Sequence, residues 1–389
     1  MKRTCSSTHK THEIVQYLKT KFPLAYELFW SILLKLGGSI VLVINYLLDT
    51  AGAWFIENYH LKGQWPHIGG DHSQDFVSPP AKDVDVRMLE AQYGPDANET
   101  VDVLRHQSGE SDEILVYLHG GGWLAANSAV LLHSVVPFVR NGYTVYSANY
   151  PLAPKHRFPG PLVSILRLLH WLRTERKIKS VQMLGDSAGG NLVTIAAALI
   201  ENPQLYCEFT ESVLPLGIDM RDWNFPTIKA VASAYGIMCQ GEGWSNQLDT
   251  IGPIENSIGH FIYAFGMRMY RSRDNIFDNR FTLIDLYMRS PKSFCKMPPT
   301  FLFCGDKDHL SLSNQLAFES LRDMGADVRY TVYPGRHAFF GLPPSWIGKD
   351  AVRESSLPAL IACLDFFKSA QKVNDLRNTV NLERIPLPY

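Results

Sequence analysis

Short apolar runs constrain this chain more than any other feature. EILVYLH (113–119), YTVYSANY (143–150), SVQMLGD (180–186), TFLFCGD (300–306) and VRYTVYPG (328–335) are compact and rich in β-branched and aromatic residues, without strict apolar/polar alternation. A strand with one wet face alternates, whereas a strand covered on both faces does not. Between the runs lie helix-length segments: PLVSILRLLHWLRTERK (161–177), NLVTIAAALIEN (191–202) and LSNQLAFESLRDMG (312–325). Strand and helix in alternation predict an α/β fold, a mostly parallel central sheet flanked by helices on both faces.

The chain has 389 residues, 46% hydrophobic and 19% charged, enough to bury a large core. Its formal net charge of −1, with no basic run in the body of the chain, excludes electrostatic capture of nucleic acid. The six cysteines (Cys5, Cys207, Cys239, Cys295, Cys304, Cys363) form no C-x-x-C pair, so zinc-type spacing is absent.

Three regions are expected. Residues 75–370 carry the strand–helix repetition. Within them, about 221–297 reads as a lid or cap insertion, rich in aromatic residues and methionine and without a clean strand. Residues 371–389, ending RIPLPY, read as a weakly ordered tail. Residues 1–74 hold an apolar helical stretch at 24–56, interrupted by Glu27, Lys35 and Asp49. Its longest charge-free piece, Leu36 to Leu48, has 13 residues, short of the roughly 18 of a clear spanning helix. Two readings stand open. The stretch is a helical pair over the core, broken at Gly37-Gly38, in a cytoplasmic protein. Alternatively, it is an anchor in the endoplasmic reticulum membrane, the basic flank cytoplasmic and the body luminal. Asn98-Glu99-Thr100 is an acceptor sequon compatible with the second.

The chemistry is carried by GDSAG (185–189), which follows the run 180–184 and opens a helical run. G-x-S-x-G in that context is a strand-to-helix elbow that lifts a serine into the open, so Ser187 is the expected nucleophile. A serine hydroxyl needs a base, and the base an orienting carboxylate. Downstream, one strand ends in GDKDHL, offering Asp306 or Asp308, and the next in YPGRHAFF, offering His337 as base. His260 falls in the insertion, and His170 reads as packing beside Trp171. Upstream, YLHGGGW (117–123) runs a strand into three glycines, a costly loop unless bare backbone is needed there.

Together, HGGGW (119–123), ANYPLAPKHRFPGPL (148–162), GDSAGGN (185–191) and DHL…HAF resemble the hormone-sensitive-lipase-like branch of the α/β-hydrolases, over about residues 110–365. The resemblance implies Ser187, Asp308 and His337 as a catalytic triad. Asp308 is preferred because it opens the motif that reads D-P-L in the family, with His309 replacing the proline. It also implies Gly121, Gly122 and Ala188 as oxyanion-hole donors, and His119 as a loop-holding residue. The implied function is hydrolysis of small-molecule apolar carboxylic esters, with no metal or organic cofactor. Amide hydrolysis of the arylformamidase or arylacetamide kind is the alternative. Receptors on this fold lose the histidine that His337 supplies, which argues against a binding-only role. The sequence carries no signal of oligomeric state.

Overall fold

The computed structural model describes residues 84–128, 132–240, 266–340 and 349–379. The chain divides into two units, Met1–Gly63 and Gln64–Tyr389, and every described residue lies in the second. The apolar stretch 24–56, Cys5 and His260 lie outside the described residues.

The strands are β1 (Val84–Gln92), β2 (Thr100–His106), β3 (Ile114–Leu118), β4 (Thr144–Ala148), β5 (Ser180–Asp186), β6 (Thr227–Ala234), β7 (Thr300–Gly305) and β8 (Val328–Tyr333). They form one sheet in the order β1-β2-β4-β3-β5-β6-β7-β8. β1 and β2 pair antiparallel, as do β2 and β4, and every other neighbour is parallel. The helices used below are α1 (Leu132–Arg140), α2 (Gly160–Thr174), α3 (Ala188–Glu201), α4 (Pro203–Val213), α5 (Leu283–Arg289), α6 (Ser311–Asp323) and α7 (Leu357–Thr379).

The two-residue repeat of a strand sorts β3 between two cores. Val116 and Leu118 face the core built with α2 and α3, while Leu115 and Tyr117 face the one built with α1 and α7. All five β3 residues are buried, which is why ILVYL shows no alternation. Each such apolar side chain contributes about 1.5–3 kcal/mol when taken fully out of water.

One expectation needs correction. The stretch read as a strand-free insertion contains β6, which pairs with both β5 and β7 in the middle of the sheet. Its sequence, TIKAVASA, is dominated by small residues because α3 lies directly on it. A Cβ on Gly190 of α3 would come within 2.4 Å of Ser233 Oγ. Small side chains carry little β-propensity, so the strand leaves a weak pattern. The segment joining β6 to β7 is therefore 235–299, not 221–297. α7 runs across the expected boundary at 371 to Thr379.

Candidate active site

β5 ends in Asp186, and α3 begins at Ala188, so Ser187 alone makes the turn. Its backbone sits at φ 50°, ψ −115°, a region that side chains other than glycine rarely enter. The turn is held from both sides. Ser187 N–H donates to the Ala234 carbonyl at the end of β6 (2.9 Å), and Asn191 N–H donates to the Ser187 carbonyl (3.1 Å). Such a tight elbow brings α3 against β3. At Gly189 a Cβ would lie 2.1 Å from the Leu118 carbonyl oxygen, so no larger residue fits.

The strand ends bring the other expected residues to this point. Asp308 follows β7 and is fully buried. The Leu310 N–H donates to its Oδ1 (2.8 Å), and both carboxylate oxygens face His337 Nδ1, at 3.1 and 3.0 Å. His337 follows β8, and its Nε2 lies 3.0 Å from Ser187 Oγ. Burial alone would pull the His337 imidazole down. The charge and hydrogen bond of Asp308, with the charge of Asp186 added, hold it above its ordinary value. Asp306 is spent otherwise: it is exposed, and its Oδ1 accepts the Gly335 N–H (2.8 Å), clipping the β8 loop to the β7 loop.

The glycine loop lies beside the elbow. A Cβ built on Gly120 would stand 3.1 Å from Ser187 Cβ. Gly121 has φ 106° and its Cβ would strike the Ala125 carbonyl at 2.2 Å, so this position requires glycine. The N–H groups of Gly121, Gly122 and Ala188 donate to no other described residue, whereas that of Gly120 is committed to Asp186. Ala188 is the first residue of α3, where backbone N–H groups point out of the helix and favour negative charge.

His119 is buried, and burial lowers its pKa to about 4, so the ring is neutral at pH 7. Nδ1 bonds the Gly120 carbonyl (2.7 Å) and the ring stacks on Tyr150, whose hydroxyl donates to the His119 carbonyl. These contacts hold the loop and leave the ring away from proton transfer. Trp123 anchors the far end of the loop by stacking on Tyr270 at 4.2 Å.

Asp186 was not singled out by sequence reasoning, although a carboxylate closing a buried strand is a signal. It accepts hydrogen bonds from Tyr117 Oη (2.6 Å) and Gly120 N–H (2.8 Å) on one oxygen. Burial raises its pKa to about 6, against the opposing pull of those two bonds and of His337. Tyr235 was missed as well. Its hydroxyl donates to the Phe340 carbonyl (2.8 Å) and its ring meets the His337 ring edge-on at 4.7 Å.

A serine at a strained strand-to-helix elbow, on a mostly parallel sheet, with a histidine and a buried acid from the last two strand ends, defines the α/β-hydrolase class. Residues 115–341 match the family described as the alpha/beta hydrolase fold, and the chain belongs to it. Its neighbours among solved structures include Esterase B from Lactobacillus rhamnosis, with TM-score 0.63, 17% identity, and 85% of this chain and 98% of that one covered. Another is an esterase from the bacterial hormone-sensitive lipase family, with TM-score 0.54, 18% identity and coverage of 77% and 89%. Arylacetamide deacetylase from Rattus norvegicus is 24% identical over 236 residues, covering 55% of this chain and 54% of that protein. The chain thus spans about half the length of the curated relative it matches.

Proposed function

We propose that the protein is a serine ester hydrolase that cleaves apolar carboxylic esters by two-step acyl transfer. The observation that carries this reading is His337 standing between Ser187 Oγ (3.0 Å) and the buried Asp308 carboxylate (3.0 Å). In the first step Ser187 Oγ bonds to the substrate carbonyl carbon while its proton passes to His337 Nε2. Asp308 accepts from Nδ1, which fixes the tautomer and stabilises the imidazolium. The N–H groups of Gly121, Gly122 and Ala188 receive the developing oxyanion, each such donor being worth about 3 kcal/mol of barrier in comparable sites. His337 then protonates the leaving alcohol, and a water activated by the same nitrogen releases the acid.

The apolar character of the substrate is supported by the aromatic and methionine content of residues 257–290 and by the apolar stretch 24–56. That stretch is the proposed membrane attachment; among the described residues no helix is long and apolar enough to cross a membrane. A second reading, amide hydrolysis by the same residues, is favoured by the likeness to an arylacetamide deacetylase.

A fluorophosphonate probe tests the nucleophile. Wild type is labelled and Ser187→Ala is not; equal labelling of both removes the proposal. Matched esters and anilides of increasing acyl length then separate ester from amide preference.

A further inference from the structure

The family pattern D-P-L reads Asp308-His309-Leu310 here, and the exchange of proline for histidine brings a second imidazole to the acid. One ligand atom each from Asp308, His309 and His337 lie within 4.8 Å of one another. His309 Nδ1 is 3.7 Å from Asp308 Oδ1, His337 Nδ1 is 3.0 Å from Asp308 Oδ2, and the two rings are 4.9 Å apart. Zinc takes nitrogen and carboxylate oxygen at about 2.0–2.2 Å in a tetrahedron, so its ligand atoms stand roughly 3.3 Å from each other. Two of the three spacings, 3.0 and 3.7 Å, bracket that value, and the third lies within 4.8 Å, so the two rings turn toward a shared ion to close the site. The carboxylate is fully buried, while the two imidazoles keep 20% and 26% of their surface exposed, which leaves an ion a way in.

We propose that Asp308, His309 and His337 form an inhibitory site for a borderline-soft divalent cation of the zinc type, completed by water. The ion takes the place of the proton between His337 Nδ1 and Asp308. A neutral imidazole bound to the metal through Nδ1 carries its one ring proton on Nε2, so Nε2 is a donor and no longer accepts the Ser187 proton. The cation is an inhibitor and has no part in turnover. The effect on turnover rests on the proposed role of His337, whereas binding itself does not. Calcium and magnesium, which prefer all-oxygen shells, do not compete.

The test uses full-length protein stripped of metal with a chelator. Calorimetric titration with zinc chloride is run on wild type, Ser187→Ala, His309→Gln and His309→Pro, with melting in metal-free buffer reporting folding. Wild type and Ser187→Ala bind one equivalent alike. Affinity in both His309 variants falls about tenfold or more, since loss of a mere outer-shell partner costs 10–100-fold. In an ester assay normalised to each variant's metal-free rate, half-inhibition by zinc shifts by the same factor and is reversed by chelator. Zinc affinity that is unchanged in both variants overturns the site, as does binding abolished instead by Cys207→Ser with Cys295→Ser. Absence of binding to wild type overturns it equally. A wild type that binds zinc yet hydrolyses no ester overturns the proposed function and leaves the metal site standing.

Discussion

The Asp186 carboxylate accepts the Gly120 N–H at 2.8 Å, tying the residue before the nucleophile to the first glycine of the facing loop. Ser187 and the donors opposite it are therefore not positioned independently. Tyr117 Oη shares the same carboxylate oxygen, so three elements converge on one buried acid.

Asp186→Ala leaves the Gly120 N–H and the Tyr117 hydroxyl unpaired, each costing about 1–3 kcal/mol. The loop relaxes, and kcat for ester hydrolysis falls by about tenfold or more while the protein still melts cooperatively. Asp186→Asn, which keeps an acceptor oxygen, recovers most of the rate. Equal kcat in wild type and Asp186→Ala refutes the positioning role.

The raised pKa of His337 sets the acid limb of the pH profile. The base must be neutral, so kcat/KM declines as pH falls, with a midpoint above the ordinary 6.5. Asp308→Asn removes the charge that raises it, moves the midpoint down, and costs about 10⁴-fold in kcat. A profile flat down to pH 5 contradicts the assignment of His337.

Gly121→Ala tests the donor loop. Its Cβ meets the Ala125 carbonyl at 2.2 Å and its φ is 106°, so the peptide must turn away. Loss of one oxyanion donor lowers kcat by about 10²–10³-fold, with KM little changed. A change confined to KM means that the loop binds substrate without stabilising the transition state.

His119 and Asp186 push stability in opposite directions in acid. The His119 pKa is lowered to about 4, so between pH 6.5 and 4 the unfolded state takes up a proton the folded state lacks. Stability is therefore lost as pH falls through that window. Asp186, raised to about 6, holds a proton in the folded state that the unfolded chain has released, and gains stability over an overlapping window. His119→Gln removes the first effect alone. Relative to wild type, it gains about 2 kcal/mol between pH 7 and pH 5, readable by urea unfolding. A constant difference across that range rules out the buried neutral imidazole.

The strands at 113–119, 143–150, 180–186 and 300–306 were legible because burial on both faces leaves dense apolar runs, whereas 328–335 was legible from its β-branched and aromatic residues alone, since β8 lies at the sheet edge and is only partly buried. β6 was not, since contact with α3 restricts it to alanine and serine around Val231. β2 was obscured for another reason: it buries Asp102, whose carboxylate accepts from Ser128 Oγ, so a charge interrupts its apolar pattern. The meeting of the candidate residues Ser187, Asp308 and His337 was legible because each follows a strand, and parallel strands deliver their ends to one edge of the sheet. Asp186, Tyr117 and Tyr235 act through hydrogen bonds to distant backbone and side chains, and sequence spacing carries no trace of such partners.

Trp123 closes the glycine loop against Tyr270, which belongs to the segment between β6 and β7. The proposed donor backbone thus leans on the segment that joins two neighbouring strands of the sheet. Redesigning that segment would therefore also shift the proposed donors, so its sequence and the rate of the reaction are coupled in this protein.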